Sequence, residues 1–156
     1  MSNPLSAAAE RVDFAARGRA YLDGRIPLPP IARLIGFRPV IVEPGRAVFE
    51  LETDLQRHAN PMGTVHGGIL CDLADIAMGF AYASTLDEGD TFTSLELKIN
   101  FLRPVWQTRL SARAGVVQRG RTIGLVECDV TDAEGKLVAR ASSTCMTLRG
   151  EQAQGR

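Results

Sequence analysis

The sequence is short of the residues that bind metals and staple small folds. Its three cysteines, Cys71, Cys128 and Cys145, are too few and odd in number for a disulfide framework, and none forms a C-x-x-C pair. Only two histidines, His58 and His66, stand beside them, so no metal centre and no cofactor are expected. The thiols read as small buried hydrophobes in a reducing compartment. No charge sign dominates, since 18 Lys and Arg balance 18 Asp and Glu. Binding to nucleic acid through its phosphates needs clustered cations, so that class is excluded. A few local cations can still grip one small anionic ligand. Long apolar runs are missing too: the uncharged stretch between Asp75 and Asp87 falls well short of the roughly 18 residues of a membrane span. Glu10, Arg11, Asp13, Arg17 and Arg19 interrupt any signal-peptide core. A cytoplasmic protein that keeps off membranes is expected.

What is present suits one ordinary domain. A chain of 156 residues with 45% hydrophobic and 23% charged residues is globular in composition and can bury a sizeable core. Asn3-Pro4 reads as a helix start, with an apolar stripe running from Leu5 through Ala20. Pro29-Pro30 followed by Ile31, Leu34 and Ile35 suggests a second helical turn closed by Gly36. Residues 1–35 thus form a helical extension, 36–149 the main domain, and 150–156 a polar tail.

From Phe37 the pattern changes to strands. Phe37–Glu43 and Arg46–Thr53 flank the turn dipeptide Pro44-Gly45 and read as a hairpin. Later strands are expected over Thr91–Leu102, Arg109–Gln118, Thr122–Thr131 and Lys136–Leu148. In the first of these Leu95, Leu97, Ile99 and Phe101 alternate with polar residues, as in a half-buried strand. Between hairpin and strands lies one long helical pattern, ILCDLADIAMGFAYASTL, apolar on almost every side and therefore expected to be buried. One buried helix and about six strands give an α+β fold, an antiparallel sheet wrapped around the helix. Its open edges invite pairing with a second copy.

The candidate chemistry clusters between Asn60 and Ser94. Gly67 and Gly68 sit where the long helix begins, so unpaired backbone N–H groups there would point at a developing negative charge, an oxyanion for example. The plainer alternative is a tight turn into the helix. Asp75 falls in the middle of the apolar pattern, where a carboxylate needs a reason. It is either a general base or nucleophile with a tuned pKa, or a carboxylate paired with a neighbouring strand or Arg. Asp72 lies nearer the helix start, where the dipole stabilises it. Gly67 and Asp75 are eight residues apart, about 12 Å along one helix. A reacting carbonyl must lie about 3 Å from both groups. One chain therefore cannot supply both, and the site should fall at a dimer interface.

The string Asn60-Pro-Met-Gly-Thr-Val-His66-Gly67-Gly68, then Asp75 on the helix, then TSLELKINFLRP, resembles the PaaI-like hot-dog acyl-CoA thioesterases. The resemblance runs from about Gly36 to Leu148 and includes the later strings GRT at Gly120 and GKLVARASST at Gly135. It implies a hot-dog fold, dimerised and often paired again into a tetramer, that hydrolyses acyl-CoA. It also implies roles. Asp75 matches the base or nucleophile, the Gly67 N–H the group that polarises the thioester carbonyl, and Asn60 the residue that orients water or thioester. Ser94 matches the hydroxyl that positions water, with Thr93 a competitor. His66 either orients Asn60 or the substrate, or pins the loop before the helix, and Gly68 lies at the substrate. Arg103, Arg119 and Arg121 are candidates to hold the CoA phosphates or are ordinary surface charge. Met78, Phe80 and Tyr82 are candidates to line the acyl pocket. The alternatives are a hot-dog hydratase or dehydratase using a His–Asp pair, and a non-catalytic acyl-CoA-binding module.

Overall fold

In the computed structural model, residues 13–154 are described; the helix start expected at Asn3-Pro4 lies outside them. Helix α1 (Phe14–Leu22) opens on Asp13, whose carboxylate accepts the Ala16 N–H at 2.9 Å. Helix α2 (Pro30–Ile35) begins on Pro30, which loses nothing by lacking an N–H in the first turn. It stops at Gly36, where a φ of 104° needs glycine. Strands β1 (Arg38–Glu43) and β2 (Arg46–Glu52) form the expected hairpin. A single helical turn, α3 (Leu55–His58), follows; the sequence reading missed it, although Asp54 is its cap and accepts the Gln56 N–H at 2.9 Å.

The remaining strands are β3 (Thr91–Phe101), β4 (Arg109–Arg119), β5 (Ile123–Thr131) and β6 (Leu137–Leu148). All pairings are antiparallel in the order β1-β2-β4-β5-β6-β3, so β1 and β3 are the edges. Helix α4 (Gly67–Ala83) packs across the sheet, chiefly on β4, β2 and β5. Its Leu70, Leu73, Ala74, Ala77, Met78 and Ala81 pack onto Phe49, Leu110, Val126 and Val130 of the sheet. Near the end of α4 the buried Tyr82 hydroxyl meets Thr147 Oγ1 at 2.8 Å. Gly124 makes room for that ring, because a Cβ there would lie 2.4 Å from Tyr82 Cε2.

Two expectations need correction. α4 is not buried on all sides: Asp72 and Asp75 are exposed and Gly68, Ile76 and Gly79 half-buried, a stripe at helical spacing that the sheet covers only in part. The alternation in β3 does not bury its whole apolar set either. Leu97 and Ile99 pack on the core, while Leu95 and Phe101 are 52% and 53% exposed. A bulge between Ser94 and Glu96 leaves Leu95 out of register with β6, and among the described residues no strand covers the outer side of β3. Both corrections concern one face, formed by the open stripe of α4 and the free edge of β3. Among the described residues no helix is long and apolar enough to cross a membrane.

Candidate active site

At the head of α4, His66 is the cap. Its Nδ1 accepts the Gly68 N–H at 2.9 Å, and its own N–H donates to the His58 carbonyl at 2.8 Å. The Gly68 N–H is therefore taken, contrary to the expectation that both glycines present free donors. The Gly67 N–H has no hydrogen-bond partner among the described residues, at the positive end of a 17-residue helix. At both glycines the backbone angle is ordinary and the space for a side chain is tight. A Cβ on Gly67 would lie 3.0 Å from Phe101 Cζ, and one on Gly68 2.8 Å from His66 Nδ1.

The approach to this helix is held by Asn60. Its Oδ1 accepts the Met62 and Thr64 N–H groups at 2.9 and 3.2 Å, and its Nδ2 donates to Thr64 Oγ1 at 2.8 Å. The amide is thus engaged in shaping its own loop. Asn60, His66, Gly67, Phe101 and Arg103 all line a cavity of about 700 Å³ that opens over the Gly67 N–H. His58, buried beneath, takes the Asp54 N–H on Nδ1 and so donates from Nε2 to the Ile35 carbonyl; it fastens α3 to α2.

Asp75 lines a different cavity of about 280 Å³, together with Ile76, Gly79, Phe80, Phe92 and Ser94. Packing of helix and strand around one side of the carboxyl raises its pKa above the usual 3.8, and the nearby Asp72 charge adds to the effect. Ser94 stands in this cavity and Thr93 does not. The three cysteines are free thiols with raised pKa values, chiefly from burial, and Cys128 is pushed up to about 12. None offers a thiolate nucleophile at neutral pH.

The structure therefore sorts the candidates into two groups. Asn60, His66, Gly67, Gly68 and Arg103 surround one cavity, Asp75 and Ser94 the other, and the two share no lining residue. His66 and Asp75 form no pair. Arg119 lies near the far end of α4: its guanidinium stacks over the Tyr82 ring at 4.9 Å and bonds Thr85 Oγ1 and the Gly120 carbonyl. Arg121 is exposed in the adjoining β4–β5 turn. Of the three proposed pocket-lining residues, Met78 and Tyr82 point into the core and only Phe80 reaches the cavity. The sequence reading also missed Phe14, Tyr21 and Phe92, which wall the Asp75 cavity through edge-on and tilted ring contacts. Their only signal was aromaticity in an otherwise aromatic-poor chain. Among the described residues no group of three or more His, Cys, Asp or Glu is placed to hold a metal ion.

Comparison with known proteins adds a second line of observation. Residues 62–139 match the family model of the thioesterase superfamily. A provisionally assigned esterase of Saccharolobus solfataricus is 34% identical over 119 residues, covering 76% of this chain and 84% of that protein. The 1,4-dihydroxy-2-naphthoyl-CoA hydrolase of Listeria monocytogenes is 30% identical, over 70% of this chain and 89% of its own length. Among solved structures, a mutant of the phenylacetic acid degradation protein PaaI of Thermus thermophilus superposes with a TM-score of 0.70. It is 30% identical, with coverage of 76% of this chain and 98% of that one.

Proposed function

This chain belongs to the thioesterase superfamily, has its hot-dog fold and is a thioester hydrolase, and we propose that it cleaves acyl-CoA to free acid and CoA at a site shared by two copies. The observation that carries the shared site is the placement of the two cavities at opposite ends of one free edge strand. Phe101, beside Gly67, and Ser94, beside Asp75, are seven residues apart on β3, about 23 Å at strand rise. No carbonyl can touch both ends at once. If two β3 edges pair antiparallel about a two-fold axis near the strand centre, the Ser94 end of one meets the Phe101 end of the other. Two complete sites result. The exposed Leu95, Phe101 and Leu102 on this edge, with Met62 beside the Gly67 cavity, support such a covered surface.

In such a site the thioester carbonyl oxygen lies on the Gly67 N–H of one protomer, and the acyl group lies in the Asp75 cavity of its partner. Along one route Asp75 removes a proton from a water held by Ser94, and the water oxygen bonds to the carbonyl carbon. The negative charge that develops on the carbonyl oxygen is stabilised by the N–H and helix dipole. As the tetrahedral centre collapses, the C–S bond breaks and the proton on Asp75 passes to the departing thiolate. Along the other route the Asp75 carboxylate itself bonds to the carbonyl carbon, the C–S bond breaks as CoA leaves as a thiolate that takes a proton from water, and a second water hydrolyses the mixed anhydride to free acid and the Asp75 carboxylate. Single-turnover hydrolysis in heavy-oxygen water separates them, since label in the Asp75 side chain would reject direct attack by water. Asn60 and His66 act by shaping the loop and cap that aim the Gly67 N–H. Arg103, at the mouth of that cavity, is the cation suited to a CoA phosphate. This reading puts the reaction in the cytoplasm, with a dimer, alone or doubled into a tetramer, as the working unit. Release of thiol from a panel of acyl-CoA esters tests the activity; no release from any of them would reject it.

A further inference from the structure

The Asp75 cavity contains a glycine that the fold itself does not require. Gly79 stands inside α4, where glycine destabilises a helix relative to alanine. Its φ is not in the left-handed region, so the backbone does not ask for it. Packing does not ask for it either. A Cβ at Gly79 would lie 3.4 and 4.0 Å from Phe92 Cζ and Cε2, ordinary van der Waals contact. Gly18 and Gly124 differ in this respect, since a Cβ there would come within 2.5 Å of Val42 Cγ1 and 2.4 Å of Tyr82 Cε2. What the absent side chain at Gly79 does leave is room in the cavity, on the side of Phe92 and one helical turn beyond Asp75.

We propose that Gly79 is a specificity-determining residue: its bare backbone is the floor on which the acyl group lies after passing Asp75, under a wall of Phe80, Phe92 and Tyr21. This rests on reading the Asp75 cavity as the acyl half of the site. Four residues of helix rise place Gly79 about 6 Å beyond Asp75. An acetyl group is too short to reach it. A hexanoyl chain or a ring-bearing acyl group must lie over it. Next to Gly79 the wall is the rings of Phe80 and Phe92, with Arg17 and the Tyr21 hydroxyl it bonds at 3.1 Å also lining the cavity, and one methyl added to such a pocket separates ligands by roughly tenfold or more.

The test is Gly79→Ala in the full chain, assayed by thiol release with acetyl-, hexanoyl- and phenylacetyl-CoA and by thermal melting. The expected result is a raised Tm, with kcat/KM roughly tenfold lower or worse for the two larger esters and within about twofold for acetyl-CoA. A lowered Tm, failure to fold, an equal loss for all three esters or no loss for any would overturn the proposal. Calorimetry with non-hydrolysable thioether analogues of the same acyl-CoAs keeps the two readings apart. A wild type that hydrolyses none of the esters sinks the thioesterase reading. The ratio of wild-type to variant affinity must still grow with acyl size, or the floor assignment fails.

Discussion

At the scale of single residues the central group of the proposed site is the Asp75 carboxyl, exposed on one side, whose pKa is raised by the helix and strand packed around the other and by Asp72. A carboxyl raised in the folded state favours folding most when protonated. That contribution is complete below the unfolded value near 3.8 and is lost as the pH rises through the folded value. Asp75→Asn should therefore melt higher than wild type at pH 7, with the gap closing as the pH falls toward 3.8. The same change should lower kcat by about 10²- to 10⁴-fold, the usual worth of a positioned base. Wild-type kcat/KM should fall on the acid side with a midpoint above 3.8, read from a pH–rate profile. An Asp75→Asn variant that melts lower at pH 7 would contradict the assigned environment. Asp75 was legible as an anomaly, a carboxylate within an apolar helical pattern. The engagement of Asn60 with Thr64, and of His66 with the Gly68 N–H, was not, because both depend on loop geometry that spacing alone does not fix.

At the scale of elements, α4 and β3 carry the account. The long helix α4 and the six strands were readable from their apolar patterns and the Gly, Pro or Asp at their ends, whereas the Asp13 cap that opens α1 was not. The single turn α3 was too short to show a period. Burial was harder to read. Asp72 and Asp75 belong to a stripe of α4 that α1 and β3 wall only in part, and Leu95 and Phe101 belong to an edge. A sequence reports apolarity without saying whether its own sheet or another chain satisfies it. Two predictions belong here. His66→Ala removes the helix cap and should cost about 1 kcal/mol in chemical denaturation, with secondary structure retained. Leu95→Lys puts a charge on the β3 edge and should shift sedimentation from dimer toward monomer while activity falls with it. Unchanged sedimentation would place the interface elsewhere.

At the scale of the whole molecule, Gly67 and Asp75 line separate cavities, and the proposed shared site joins them across two chains. The balanced charge and the family membership fit that proposal without requiring it, and a test that depends on chain pairing decides it. Gly67→Pro is a suitable partner to Asp75→Asn. Proline is favoured at the first helical position, and His66 already has the extended conformation (φ −64°, ψ 135°) that a following proline needs. The substitution removes the N–H, and its Cβ would lie 3.0 Å from Cζ of the exposed Phe101 ring, which must give by a few tenths of an ångström. Loss of that donor should lower kcat by about 10²- to 10³-fold. Each variant alone is then nearly inactive. The decisive measurement is the thiol-release rate of the two variants co-expressed at equal levels. A shared site gives hybrid dimers with one intact site each, and the mixture should recover about a quarter of wild-type activity on random pairing. Activity no higher than the mean of the two inactive parents would show that each chain works with its own Gly67 and Asp75, and would contradict the shared site.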